Sequence, residues 1–248
     1  MIDLYQFRAN FGVANLSPFC MKLEGFLRLT DIPFQIIIQQ DPSKAPKGKL
    51  PYIRDNGVVI ADSELVIDYL EAKLDFNFDA HLSPATAAIH HGFMRMLDEH
   101  LYWALVYSRW HDDSNYNALR ARLFSQIPPP FSMLIASYLR YNIRKQLYAQ
   151  GMGRHSADDI YAKASKDIRA LSDYLGRDQW FGGEFASKLD INAVTYINNI
   201  LIPELPSPLA DCLRKHRNLC EFAERATPLI FAPQAADTPP AWMTTPQA

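Results

Sequence analysis

The chain has 248 residues, with 25 basic against 27 acidic side chains, a formal net charge of −2, 48% apolar and 21% charged residues. That length holds one large domain or two of about 100–150 residues, and the composition is that of a globular protein, which excludes wholesale disorder. The near-neutral charge gives no electrostatic footprint for nucleic acid or an anionic membrane, and no apolar run approaches the ~20 residues that cross a bilayer.

The opening Met1-Ile2-Asp3-Leu4 lacks a basic stretch leading into an apolar one. A secretory leader is therefore not expected, and a cytoplasmic location is. Ile2 to Phe7 has the composition of a strand. Ser17-Pro18 then supplies a helix N-cap with proline at the first helical position. Phe19, Leu23, Phe26 and Leu27 follow at helical spacing, and the helix should stop near Asp31-Ile32-Pro33. Phe34 to Gln39 carries three consecutive isoleucines and reads as a buried strand, so two strands around one helix predict a parallel βαβ unit. Asn56-Gly57 between Pro51-Tyr52-Ile53-Arg54 and Val58-Val59-Ile60 is a hairpin signal, because both turn residues must take positive φ. Asp62-Ser63 caps a further helix with Leu65, Val66, Ile67, Tyr69 and Leu70. The order β-α-β, loop, β-β-α is that of a thioredoxin-like domain over residues 1–76.

From about residue 82 to 232 the pattern is all-helical. Ser83-Pro84 opens a long helix with Ile89, Phe93, Met96 and Leu97 expected on its buried stripe. The prolines 128–130 break the chain before a helix from Phe131 to Tyr148, which Gly151 should end. Ser156-x-x-Asp159 and Ser187-x-x-Asp190 are capping-box starts for two more helices. A last helix covers about Asn218 to Arg225, and the proline-rich segment 233–248 is expected to be a disordered tail. The fold class is thus α/β followed by all-α.

Ser17-Pro18-Phe19-Cys20 sits where a thioredoxin-like fold carries Cys-x-x-Cys, and the serine excludes an internal redox disulfide. Cys20, Cys212 and Cys220 are too few and too scattered for a disulfide framework or a zinc site. His90, His91, His100 and His111 contain no i, i+4 pair, so no metal is expected. Gly151 to His155 follows a helix rather than a strand, which argues for a helix C-cap and against a phosphate loop. Leu50-Pro51 at the start of a strand is placed for a cis peptide that would open the backbone of Leu50 to an extended ligand. Asp62-Ser63 brings helix N–H groups to a site suited to a carboxylate.

Taken in order, residues 16–24 (LSPFCMKLE), 46–53 (PKGKLPYI), 61–70 (ADSELVIDYL), 150–156 (QGMGRHS), 171–175 (LSDYL), the Ser187–Asp190 box and 217–225 (RNLCEFAER) resemble the glutathione S-transferase superfamily, in its metaxin-like branch that includes the failed axon connections proteins. The resemblance implies glutathione as co-substrate, no metal, and a transferase that activates the thiol for attack on a small hydrophobic electrophile. Ser17 matches the activating position, with Cys20 and Tyr5 as alternatives. Leu50 and Pro51 would meet the cysteinyl part of glutathione, Asp62 and Ser63 the γ-glutamyl end, and Lys49 the glycyl carboxylate. Arg95, Tyr102 and Trp103 are candidates for the electrophile pocket. A hydroxyl donating to the sulfur, and the helix dipole beside it, would lower a thiol pKa that starts near 8.5. A homodimer is implied. The alternative is a non-catalytic binding or assembly protein of metaxin type.

Overall fold

A computed structural model describes residues 1–231, so the expected tail from Pro233 lies outside the described residues. Four strands, β1 (Ile2–Gln6), β2 (Phe34–Ile38), β3 (Tyr52–Asp55) and β4 (Val58–Ala61), form one sheet in the order β2-β1-β3-β4. β1 runs parallel to β2 and antiparallel to β3, as the βαβ and hairpin readings require. The turn residues Asn56 (φ 47°) and Gly57 (φ 88°) both adopt the left-handed conformation that lets two residues close the hairpin. The Leu50–Pro51 peptide is cis.

Two helices cover one face of this sheet. α1 (Pro18–Leu29) starts at Ser17, which caps the Cys20 N–H, and α2 (Ser63–Leu74) starts at Asp62. Leu4, Ile53, Leu23, Phe26, Leu27, Val66 and Leu70 are buried between sheet and helices. β2 departs from expectation. It lies at the sheet edge with no strand on its outer side among the described residues, and Ile36 and Ile38 are 37% and 43% exposed rather than buried.

The helical half comprises α3 (Pro84–Met96), α4 (Tyr102–Trp110), α5 (Asp113–Leu123), α6 (Phe131–Gln150), α7 (Ala157–Leu175), α8 (Lys188–Leu201), α9 (Pro208–Arg214) and α10 (Arg217–Ile230). α8 is its axis. Nearly every residue of that helix is buried, and it packs on α1, α3, α9 and α10. The capping box forms as read, with Ser187 Oγ donating to Asp190 Oδ2 at 2.7 Å and Asp190 also accepting the Ser187 N–H at 2.8 Å. The helix expected from Ser83 runs unbroken to Trp110, with a π turn at Leu97–Leu101 between α3 and α4. Ile89 is exposed on that helix, while Leu97 is buried. α5 and α9 carry no strong apolar pattern and were not expected, and α10 continues past Arg225 through Pro228.

Candidate functional site

A cleft of about 220 Å³ opens between the two halves, lined by Phe19, Lys47, Lys49, Leu50, Pro51, Asp62, Ser63, Asp98, Glu99, Tyr102 and Trp103. Local sequence explains how each wall arises. Pro51 leads into β3, and the end of β4 passes directly into α2, so Leu50 and the Asp62–Ser63 corner meet on one side. The π turn sets Asp98 and Glu99 and the start of α4 on the other side.

Asp62 holds the corner at φ 101°, a conformation few non-glycine residues adopt, and its Oδ1 accepts the N–H groups of Glu64 (2.9 Å) and Leu65 (3.4 Å). Those two donors are therefore already satisfied. The buried Ser63 hydroxyl takes no protein hydrogen-bond partner among the described residues, nor do the backbone N–H and C=O of Leu50. An open backbone amide, a free hydroxyl beside a helix N-terminus and the two exposed lysines Lys47 and Lys49 fit a peptide that carries carboxylates at its ends.

The helical wall is anchored from beneath. Asp98 is buried; its Oδ2 accepts from Lys22 at 2.6 Å, and its Oδ1 accepts from Tyr196 (3.1 Å) and Asn192 (3.2 Å). Tyr102 packs edge-on against Phe19 (centroids 4.9 Å apart) and Trp103 (5.2 Å). Burial raises the Tyr102 phenol pKa, while the Arg109 charge pulls it down and Cys20 pushes it up.

The sequence-expected residues divide. Lys49, Leu50, Pro51, Asp62, Ser63, Tyr102 and Trp103 converge on the cleft. Arg95 does not line it; its guanidinium bonds Glu64 at 2.7 Å and approaches Asp98 at 3.7 Å, tying α3 to α2. Tyr5 stacks on Tyr52 at 4.3 Å under the Arg54 guanidinium, on the sheet face opposite the α1–α2 core. Ser17 is half-buried and is not among the residues that line the cleft; its Oγ accepts the Cys20 N–H at 3.4 Å. Cys20 stands in the first turn of α1, where a helix dipole favours thiolate, yet its pKa is not lowered. Complete burial pushes the thiol up to about 12, against the opposing effects of the Ser17 hydroxyl and the Phe7 backbone. Phe19, Lys47, Asp98 and Glu99 line the cleft without having been singled out from sequence. Among the described residues no cluster of His, Cys, Asp and Glu has the arrangement of a metal site.

The Glutathione S-transferase N-terminal domain family matches residues 18–115, and the Glutathione S-transferase C-terminal domain family matches residues 164–226. The isoprene-epoxide–glutathione S-transferase of Rhodococcus sp. strain AD45 is 30% identical over 232 residues, covering 91% of this chain and 97% of that protein. The chain belongs to the glutathione S-transferase superfamily. Its likenesses reach into the metaxin-like branch. Failed axon connections of Drosophila melanogaster is 30% identical over 93% of this chain, and human metaxin-1 is 27% identical over 96%. The chain spans only 58% and 53% of those two relatives. Among solved structures, a glutathione S-transferase of Ceriporiopsis subvermispora in complex with glutathione aligns with a TM-score of 0.65 at 19% identity, covering 94% of this chain and 99% of that one. A Rhodospirillum rubrum glutathione S-transferase aligns at 0.62 with 17% identity, over 96% and 93% of the two chains. These two establish the shared fold, a thioredoxin-like sheet domain followed by helices.

Proposed function

We propose that the chain is a glutathione transferase: it holds glutathione in the cleft, favours its thiolate and adds the sulfur to a small apolar electrophile. The observation that carries this reading is the convergence of Lys49, Leu50, Pro51, Asp62 and Ser63 on one cleft whose opposite wall is aromatic, with Tyr102 and Trp103. In this reading Leu50 offers its backbone to the cysteinyl unit, Ser63 and Asp62 take the γ-glutamyl end, and Lys49 with Lys47 faces the glycyl carboxylate. Ser17 is the proposed thiol partner. Its oxygen accepts the Cys20 N–H and its hydroxyl lies beside the Cys20 thiol, so in this reading it turns its proton from that thiol to the sulfur of glutathione. Likeness to the isoprene-epoxide transferase supports an epoxide as the electrophile.

Titration calorimetry of glutathione into the protein tests the reading. Binding between micromolar and low millimolar is expected, weakened in Asp62→Ala and Ser63→Ala. No heat up to ~10 mM, a binding free energy weaker than about −2.7 kcal/mol, defeats it.

A second reading, a non-catalytic binding protein of metaxin type, is favoured by one observation. α6 carries an apolar stripe of Phe131, Leu134, Tyr138 and Tyr141, each more than 60% exposed. We propose that this stripe joins two copies of the chain into a homodimer; left unpaired, it is a surface for another protein.

A further inference from the structure

One charge in the cleft is left over once glutathione is placed there. Lys47 and Lys49 fit a carboxylate end, and Asp62 stands at the corner where α2 begins. Asp98, on the helical wall, is offset from beneath by Lys22 at 2.6 Å. Glu99 is the remaining carboxylate. It is exposed, it lines the cleft, and among the described residues it has no ion-pair or hydrogen-bond partner. In the transferase reading a thiolate forms within the same 220 Å³, and an uncompensated carboxylate raises the cost of that charge. A neutral electrophile leaves the repulsion in place. A cationic one removes it.

The rings beside Glu99 supply the other half of the chemistry. Trp103 follows one turn later in the same helical run and lines the cleft with Tyr102 and Phe19. Tyr102 meets Trp103 edge-on, with centroids 5.2 Å apart and 71° between the planes, and meets Phe19 at 4.9 Å and 63°. The three rings thus build a corner instead of a flat stack. Lys22 already stands over Phe19 at 5.5 Å, whereas no cation among the described residues stands over Tyr102 or Trp103. An aromatic corner beside a free carboxylate suits an alkylated ammonium group. Its methyl groups rest on the rings, while the ring quadrupoles and the carboxylate attract its charge.

Resting on the transferase reading, we infer that the electrophile carries an alkylated ammonium group, held by Glu99 and the Tyr102–Trp103 corner, and that Glu99 sets this preference. The epoxide at the other end of the molecule meets the sulfur. The thiolate pair forms the C–S bond at the unsubstituted ring carbon, and the ring C–O bond breaks with its pair on oxygen. Water protonates that oxygen, giving a hydroxy thioether, and the hydroxide left behind takes up the proton the thiol released. The ammonium group is unchanged throughout. Glu99 therefore acts on how the electrophile is held and not on the bonds that form and break, so its loss should appear in KM and spare kcat.

The test compares glycidyltrimethylammonium with neopentyl oxirane, which has the same shape but carbon in place of the charged nitrogen. Each rate is divided by the uncatalysed rate with glutathione at the same pH. The unsubstituted protein should favour the cationic epoxide on the order of tenfold in kcat/KM, and added salt should shrink that preference. Glu99→Gln should raise KM for the cationic epoxide on the order of tenfold with kcat held, and leave the neutral epoxide and glutathione affinity unchanged. Trp103→Leu should also lower the preference. Equal treatment of the two epoxides, or a preference that survives Glu99→Gln, overturns the inference and leaves the glutathione site standing. So does consumption of neither epoxide by a protein that binds glutathione. Loss of glutathione affinity in Glu99→Gln assigns Glu99 to the ammonium of glutathione and overturns the inference as well. Absence of glutathione binding in the unsubstituted protein overturns the transferase reading beneath it.

Discussion

Arg109 donates a 2.7 Å hydrogen bond to the carbonyl oxygen of Leu16, so a buried guanidinium of the helical half holds the residue that precedes Ser17. Asn199, which accepts from Arg109, donates to Asn15 O at 3.2 Å, and Asn15 Oδ1 accepts the Ser17 N–H at 3.0 Å. The loop that presents Ser17 is thus fixed by the opposite half of the molecule. Arg109→Leu leaves Leu16 O and two Asn199 oxygens without their donor, at about 1–3 kcal/mol for each buried group. Urea denaturation should show a loss of at least about 3 kcal/mol. Arg109→Lys should recover only part, since an ammonium keeps the charge and loses the fork. A loss within experimental scatter for Arg109→Leu would show that the clamp is dispensable.

Cys20 tests the competing idea that a cysteine carries the chemistry. Its side chain is fully buried and its thiol is pushed up to about 12, so almost none is thiolate at neutral pH. A disulfide reagent should label the partly exposed Cys212 and Cys220 in the native protein and reach Cys20 only on unfolding. Cys20→Ala should retain glutathione binding and turnover, at a stability cost of roughly 1 kcal/mol. Loss of turnover in Cys20→Ala with binding intact would restore the cysteine-dependent mechanism.

A pH response is built into the joint between β3 and α2. Asp55 is buried at 2% exposure, and its Oδ2 accepts hydrogen bonds from Lys73 and from the Tyr69 hydroxyl at 3.0 Å. Burial alone would raise its pKa, but the bonds from Lys73 and Tyr69 outweigh it and hold the carboxyl below its ordinary value. The folded chain therefore binds this proton less readily than the unfolded chain. The resulting stability is complete above the unfolded pKa of about 3.9 and drains away as pH falls through the lower folded value. Denaturation of the unsubstituted protein and of Asp55→Asn across pH 2–7 should show a stability gap that is constant near neutrality and narrows below about pH 4. A gap that does not narrow would mean that Asp55 acts through shape alone.

Which parts of this structure could be read from sequence follows from the range of the forces involved. The Asn56-Gly57 turn, the Ser17 cap and the Ser187–Asp190 box are local: their signals and their partners lie within a few residues. Leu50, Pro51, Asp62 and Ser63 were legible because a strand start and a helix start place them, whereas Lys49 came only from the family resemblance. Asp98 and Glu99 were not, because they reach the cleft through a π turn that no periodicity marks, and Asp98 is defined by Lys22, Asn192 and Tyr196 far away in the chain. The exposure of Ile36 and Ile38 was hidden for the same reason. An isoleucine run looks alike at the centre and at the edge of a sheet, and strand order is a long-range property.

The α6 stripe is a surface for a second copy of the chain or for a different protein. Phe131, Leu134, Tyr138 and Tyr141 recur at intervals of three and four, so they share one face, while Ala136 and Leu147 are buried. Apolar side chains scattered singly on a surface carry no meaning, but a contiguous row along a helix marks a contact. Sedimentation velocity at micromolar concentration should give a dimer. Leu134→Glu with Tyr138→Glu should convert it to a monomer that still binds glutathione, because neither residue lines the cleft. A monomer in the unsubstituted protein would remove the homodimer and leave the row open to a different protein, which is what assembly of the metaxin type requires. A dimer untouched by both substitutions would place the self-contact on another face.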